Sequence, residues 1–291
     1  MNQKVAVIGT GRMGSALATA LFQKGFATTV WNRTAAKTEP LAKLGLHVAP
    51  SIREAVKEAD VIIVNINNYD ATMQLLRHPD IESALQGKIL VQLTSGTPDE
   101  ARAMECWAGQ CRIQYLDGAI WSAPMMIGTP ECVLLYSGFE GLFERVKPVL
   151  LAFGPNTRFV GNEIGQASAL DMAVLAGFVM NALFGLIHGY VICEAENLPL
   201  EKYMQFVKST IPRLEGFVTR VCGRLQDKDY RGDQSSLEAW TVGPQMLISW
   251  GRDHGVDHSI ADAQLALFEK AINVGQGQAG FTYLYEILKK G

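Results

Sequence analysis

Gly9-Thr10-Gly11-Arg12-Met13-Gly14 follows a short apolar run, Val5 to Ile8, and leads into a helical pattern that continues from Ser15 through Leu21. The three glycines have distinct tasks. Gly9 permits a tight turn, Gly11 lets a pyrophosphate approach the backbone, and Gly14 lets the helix lie against the strand. A second β-branched run begins at Thr28, so the motif stands in the strand, turn, helix context that a dinucleotide site requires. Thr10, Arg12 and Met13 complete the loop. Arg12 either adds a cation for a phosphate or is a solvated surface arginine.

The end of the second strand selects the dinucleotide. An acid there would bind the ribose hydroxyls of NAD and repel a 2′-phosphate. The sequence instead reads Trp31-Asn32-Arg33-Thr34, with Lys37 shortly after. An amide, a guanidinium, a hydroxyl and an ammonium suit a dianionic phosphate, which predicts NADPH/NADP+ over NADH. Asn65 and Ile66, after the apolar run at Val61, and Thr94 and Ser95, after Ile89 to Gln92, are expected to finish the cofactor site. A simple turn in Ser95-Gly-Thr-Pro98 is the alternative for Ser95.

Working outward, short β-branched runs alternate with amphipathic stretches from Lys4 to about Phe159, the pattern of a parallel sheet covered by crossover helices. The expected strands are Val5 to Ile8, Thr28 to Trp31, Val61 to Asn65, Ile89 to Gln92, Tyr115 to Leu116 and, at the sheet's edge, Cys132 to Ser137. After Gly161 the strand signal disappears. The remainder reads as helices divided at Pro199, Pro212, the polar Gln226 to Ser236 stretch and Gly255. The fold class is α/β: an N-terminal Rossmann domain over residues 1–160, a long interdomain helix over 161–195 and an all-α substrate and dimerisation domain over 196–291. A length of 291 residues agrees with two domains at ~150 residues each.

Composition excludes several classes. Hydrophobic residues make up 48% and charged residues 19%, which argues against disorder, and Lys plus Arg (26) against Asp plus Glu (29) leaves a net charge of −3. No broad basic surface is available for nucleic acid. The five cysteines form no C-x-x-C pair and have no histidine at metal-ligand spacing, so they read as reduced thiols, with no metal site. The N-terminus lacks a secretory h-region, and a cytoplasmic location is expected.

The helix expected from about Glu163 to Glu194 would extend on the order of 45 Å. It is apolar on nearly every side. Its most apolar part, Met172 to Ile187, is shorter than the ~20 residues of a membrane span, contains Asn181 and lacks basic anchors, so it is expected to be buried in protein. Small residues at Ala176, Gly177, Ala182, Gly185 and Gly189 permit close helix packing. The remaining residues of one chain are few to cover it, which implies an intertwined homodimer with shared active sites. A long core helix in a monomer is the alternative.

The layout resembles the β-hydroxyacid dehydrogenase (6-phosphogluconate dehydrogenase-like) superfamily over nearly the whole chain. That superfamily carries a carboxylate-binding segment of the type D-A-P-V-S-G-G and a catalytic lysine early on the long helix. Here the first reads Asp117-Gly-Ala-Ile-Trp-Ser-Ala-Pro-Met-Met-Ile-Gly-Thr-Pro130. The second reads Gly165-Gln-Ala-Ser-Ala-Leu-Asp171-Met-Ala, and the next lysine is Lys202. These departures resemble the imine reductases, as do Gly9 to Gly14, Trp31 to Thr34, Val91 to Pro98, Met125 to Pro130 and Leu170 to Ala173. The resemblance implies NADPH-dependent reduction of imines, cyclic ones included, to amines, with Asp171 as proton donor or iminium stabiliser. Position 179, a tyrosine in some members, is valine, which argues against efficient condensation of separate ketone and amine.

Charge arithmetic points the same way. Hydride addition to a ketone develops negative charge on oxygen, which a lysine stabilises; an iminium is positive beforehand, and a carboxylate favours it. Desolvation in an apolar helix should raise the Asp171 carboxyl toward neutrality. Apolar walls for the substrate are expected from Trp121, Met125, Leu175, Phe178 and Val179, with Phe217, Trp240 or Met246 from a partner subunit. Three other readings stay open at this stage: a capping role for Asp171, a β-hydroxyacid or semialdehyde reductase, and a non-catalytic NADPH-binding protein.

Overall fold

The structure, a computed structural model, describes residues 3–290. By its internal contacts the chain divides into two compact units, Met1–Asn181 and Ala182–Gly291. The dividing point lies within the long helix.

The first unit is built on an eight-stranded sheet: β1 (Val5–Ile8), β2 (Thr28–Trp31), β3 (His47–Val48), β4 (Val61–Val64), β5 (Ile89–Gln92), β6 (Gln114–Ile120), β7 (Val133–Gly138) and β8 (Asn156–Gly161). Their order is β3-β2-β1-β4-β5-β6-β7-β8. All pairs are parallel except β6 with β7. The strand direction along β1 and β4 explains their unbroken apolar sequences, because both faces of the sheet are covered. Val5, Val7, Val61, Ile63 and Val91 pack on one side with Leu17, Leu21, Val146 and Phe153. Ala6, Ile8, Ile62, Val64 and Leu90 pack on the other with Val56, Leu76, Leu85 and Trp107. Successive side chains alternate between the two layers, as strand geometry demands.

One expectation about the sheet is corrected, and two strands that were not expected are added. The run from Cys132 to Ser137 is not the edge: β8 pairs outside it, in parallel register from Val133 with Asn156. The tiny β3, only His47–Val48, closes the opposite edge. Both lie where side chains are partly exposed, so their apolar signal is weak.

The helical run Gln166–Ala195 carries the crossing between the units, and Asp171–Val179 within it is π-helical. The Met180 N–H bonds to the Leu175 carbonyl, five residues back. Such turns are rare and concentrate at functional positions. The helix is not buried within this chain, unlike the core helix of the monomer alternative: Met172 is 50% exposed, Phe184 53% and Ile187 64%. By length and hydropathy alone it could cross a membrane.

The second unit is helical. Leu200–Gln226 runs without division through Pro212, correcting the expected break. Proline there removes one backbone bond, and residues 208–213 are exposed, so solvent can serve the freed carbonyl. Val242–His254 ends at Gly255 in the left-handed region, where φ is +68°. Leu237, Phe268, Ala271 and Leu284 form the unit's small core.

Candidate active site

The glycine loop has the shape its sequence implies. Gly9 has φ +97°, and a Cβ there would lie 2.2 Å from the Asn65 carbonyl oxygen. A Cβ on Gly14 would lie 1.9 Å from the Gly9 carbonyl oxygen. Around Gly11, by contrast, no heavy atom lies within 4 Å of where a Cβ would stand. That open face is where a phosphate can approach. The helix Arg12–Gln23 begins there with no side-chain cap and no acid in its first turn, which leaves its N–H groups and positive end for an anion.

This contrast yields a prediction. Gly14→Ala is expected to collapse the turn and lower Tm, whereas Gly11→Ala is expected to leave the apo Tm unchanged. The second should weaken cofactor binding by about tenfold or more, the cost of excluding close hydrogen bonds to a charged group. Thermal unfolding and cofactor titration of both variants check it.

The ends of β1, β2, β4 and β5 converge on this loop. The Thr10 N–H donates to Asn32 Oδ1 at 3.0 Å, and the Thr10 hydroxyl donates to the Lys37 carbonyl at 3.3 Å. Asn32 Nδ2 donates to the Thr34 carbonyl at 3.0 Å. Asn32 thus fixes the loop, while Arg33, Thr34 and Lys37 are exposed beside it, as is Arg12. No carboxylate stands at the end of β2. Across the switch point between β1 and β4, Asn65 Nδ2 donates to the Leu93 carbonyl, and the Ile66 N–H donates to the Thr94 hydroxyl at 3.1 Å. Thr94 is buried and Ser95, next to it, is exposed. In open α/β sheets a ligand binds in this crevice beyond the strand ends.

The loop after β5 closes with a capping box. Thr97 Oγ1 accepts from the Glu100 N–H while Glu100 reaches back to the Thr97 N–H, with Pro98 at the first helical position. Gly96 lies against Tyr69: a Cβ would come within 2.4 Å of its ring.

Asp171 is half-buried, at the start of the π-helical turns. Burial pushes its carboxyl above the usual range, and the nearby Trp121 indole opposes that shift. Trp121 Nε1 is itself buried, and its N–H reaches no partner at hydrogen-bond geometry among the described residues. Trp121 packs on a cluster that includes Ala167, one helical turn before Asp171. Leu175 and Val179 are half-buried on the same helix, whereas Phe178 is 50% exposed and Met125 86%.

In the second unit, Trp240 lines an apolar cavity of about 520 Å³ with Leu247, Phe268, Phe281 and Leu284. Phe217 and Met246 are exposed and lie outside that lining.

Residues 4–161 match the model of the NAD binding domain of 6-phosphogluconate dehydrogenase, and residues 163–290 match that of the NADPH-dependent reductive aminase-like C-terminal domain. An NADPH-dependent reductive aminase of Aspergillus oryzae is 31% identical over 100% of this chain and 99% of its own. The chain belongs to the imine reductase and reductive aminase family. Among solved structures, an imine reductase from Myxococcus stipitatus in complex with NADP+ is 46% identical, covers 98% of this chain and 99% of its own, and superposes with a TM-score of 0.91. A reductive aminase from Aspergillus terreus in complex with NADPH and ethyl levulinate is 30% identical over 99% of this chain and 100% of its own, at a TM-score of 0.89. The family membership accounts for the N-terminal Rossmann unit, the helical unit after it and the NADP(H) cofactor.

The residues present fit that cofactor: an open Gly11 face, a helix N-terminus free of acids and three exposed cationic or hydroxyl groups beyond β2. Sequence reasoning missed a buried cluster beside the site. The Tyr69 hydroxyl donates to Asp117 Oδ1 at 2.6 Å, and the Ser168 hydroxyl donates to Asp117 Oδ2 at 2.9 Å. An uninterrupted stretch, Gln114-Tyr-Leu-Asp-Gly-Ala-Ile120, with one acid at its centre was the available signal, because such an acid must find partners when buried.

Proposed function

We propose that the chain reduces the C=N bond of imines and iminium ions to amines, with Asp171 as the acid that supplies the nitrogen's proton. The hydride for the imine carbon would come from NADPH when it is bound. The observation that carries the reading is a half-buried carboxylate at Asp171, the position at which the resemblance to the β-hydroxyacid dehydrogenases implies a cationic lysine. A carboxyl raised by desolvation can hold a proton near neutrality and, once ionised, favours a cationic partner beside it. The second property separates the substrates: the ionised carboxylate would repel the developing oxyanion of a ketone or a semialdehyde, whereas it attracts an iminium.

Within this proposal Arg33, Thr34 and Lys37 bind the 2′-phosphate, the Gly11 face and the following helix bind the pyrophosphate, and Thr94 with Ser95 bounds the nicotinamide end. Trp121, Leu175 and Val179 supply apolar wall and exclude water. Val179 offers no hydroxyl to assist condensation, so preformed cyclic imines suit the site better than separate ketone and amine. We also place two copies in a cytoplasmic homodimer, with the exposed apolar faces of Gln166–Ala195 and the Trp240 cavity covered by the partner.

The pH dependence tests the acid. For a neutral cyclic imine, kcat/KM is expected to fall as pH rises through the raised Asp171 pKa, because the donor form is lost above it. Asp171→Asn is expected to remove that limb. An N-methyl iminium needs no proton and should show no such limb in the wild-type chain. A limb that survives in Asp171→Asn and tracks only the substrate's own titration assigns the proton elsewhere. The function itself is tested by NADPH depletion across cyclic imines, ketones with amines, and hydroxyacids. Turnover of 2-oxo acids without turnover of pyrrolines would overturn it.

A further inference from the structure

The helix that carries Asp171 begins without a local cap: Gly165 precedes it, and no side chain there accepts from the first turn. The Gln166 N–H donates to the Glu163 carbonyl at 3.2 Å, and the next two N–H groups are satisfied by the sheet. The Ala167 N–H donates to Ser137 Oγ at 3.1 Å, from β7, and the Ser168 N–H donates to Asp117 Oδ2 at 3.3 Å, from β6. The same Asp117 oxygen accepts from the Ser168 hydroxyl. Its other oxygen accepts from Tyr69, whose ring fills the space that the absent Cβ of Gly96 leaves. Asp117 is 0% exposed, Tyr69 2% and Ser168 3%.

Tyr69 sits at the start of the helix Tyr69–Leu76, directly after the loop in which Asn65 and Ile66 meet Gly9. Gly96 belongs to the loop of Thr94 and Ser95. One buried carboxylate therefore ties the two loops expected to finish the cofactor site to the first turn of the helix, three residues before Asp171. A carboxylate at a helix N-terminus is favoured by the dipole, and donors from Tyr69 and Ser168 offset its desolvation. Small errors in such spacing cost large factors in rate.

We propose that Asp117 is a positioning residue for the reaction, setting the distance between the Asp171 carboxyl and the loops of Asn65 and of Thr94 through Ser168 on one side and Tyr69 on the other. It touches neither cofactor nor substrate. The inference rests on the imine-reductase reading for its kinetic consequence, although the clamp itself is independent of it.

The test compares Tyr69→Phe and Ser168→Ala with Thr72→Val. The last removes a hydroxyl on the same helix as Tyr69 that accepts from Gln92 Nε2 at 3.1 Å and donates to the Asn68 carbonyl at 3.2 Å, neither of them a bond to the Asp171 helix. Tyr69→Phe and Ser168→Ala are each expected to lower kcat for a cyclic imine about tenfold, the scale of a modest misplacement of a reacting group. Their NADPH Kd should stay near wild type, and the primary isotope effect with 4-deuterated NADPH should rise as hydride transfer slows. Thr72→Val should lower Tm comparably and leave kcat and the isotope effect unchanged. Amide hydrogen exchange over residues 167–171 of the same chains should quicken in the first two variants only. The proposal is overturned if kcat holds in Tyr69→Phe and Ser168→Ala, if NADPH affinity falls in step with kcat, or if Thr72→Val loses the same activity. Should the wild-type chain reduce no imine, the functional reading fails. The exchange measurement then still decides the clamp, which unchanged protection in both variants would exclude.

Discussion

Replacing Asp171 by alanine is expected to lower kcat for a cyclic imine by about 100-fold or more, the range seen when a positioned acid or charge-stabilising group is removed. NADPH affinity should be nearly unchanged. The separation follows from where the groups stand: the proposed cofactor groups are on the loops after β1, β2, β4 and β5, while Asp171 is on the helix that follows β8. The half-buried carboxyl has the Trp121 indole as its polar neighbour and a raised pKa, so alanine leaves nothing in its place that can hold a proton. Asp171→Asn keeps the shape and should be nearly as slow on neutral imines while recovering part of the rate on an N-methyl iminium. Steady-state kinetics with a fluorescence titration of NADPH measure both quantities. A kcat close to wild type in Asp171→Ala removes Asp171 from the chemistry.

The second large effect concerns the cofactor. Arg33→Glu is expected to move the preference for NADPH over NADH by about 100-fold or more. It deletes a charge-assisted contact of about 1.5–3 kcal/mol and puts a carboxylate against a dianion. Arg33 is exposed and no ion pair holds it among the described residues, so the exchange should leave the apo Tm nearly unaltered. Asn32, which braces Thr10, is the wrong position for the same experiment, because its loss would disturb the loop for both cofactors. The ratio of kcat/KM for the two dinucleotides reads the outcome. An unchanged ratio means that another group binds the 2′-phosphate, Lys37 being the next cation in sequence.

Much of this was legible in particular residues. Gly9 and Gly14 are required by contacts of 2.2 and 1.9 Å that a Cβ would make, and Gly11 by the open space beside it, so the spacing alone announces the turn. The absence of an acid after Trp31 is read directly from the chain. Asp171 stands out because an acid in an apolar helix is costly. What escaped reading had weak local signals. β3 and β8 carry partly exposed side chains; Pro212 breaks a helix on propensity yet lies within Leu200–Gln226; and nothing in Asp171–Val179 distinguishes a π-helical turn from an α-helical one.

By itself the sequence determined the strand-turn-helix at the N-terminus, the change from alternating strands to helices near Gly161, the NADPH-type charge pattern after β2 and the identity of the acid at position 171. Each of these is local, set by the backbone freedom of glycine, by periodicity over a few residues, or by the charge of a side chain. Only the tertiary structure decided that Asp117 faces Tyr69, 48 residues away, and Ser168, 51 residues away, or that Ser137 caps the Asp171 helix from β7. Those pairings depend on which strands lie side by side and on the antiparallel turn of β6 into β7, where burial excludes water and obliges each polar group to find a partner.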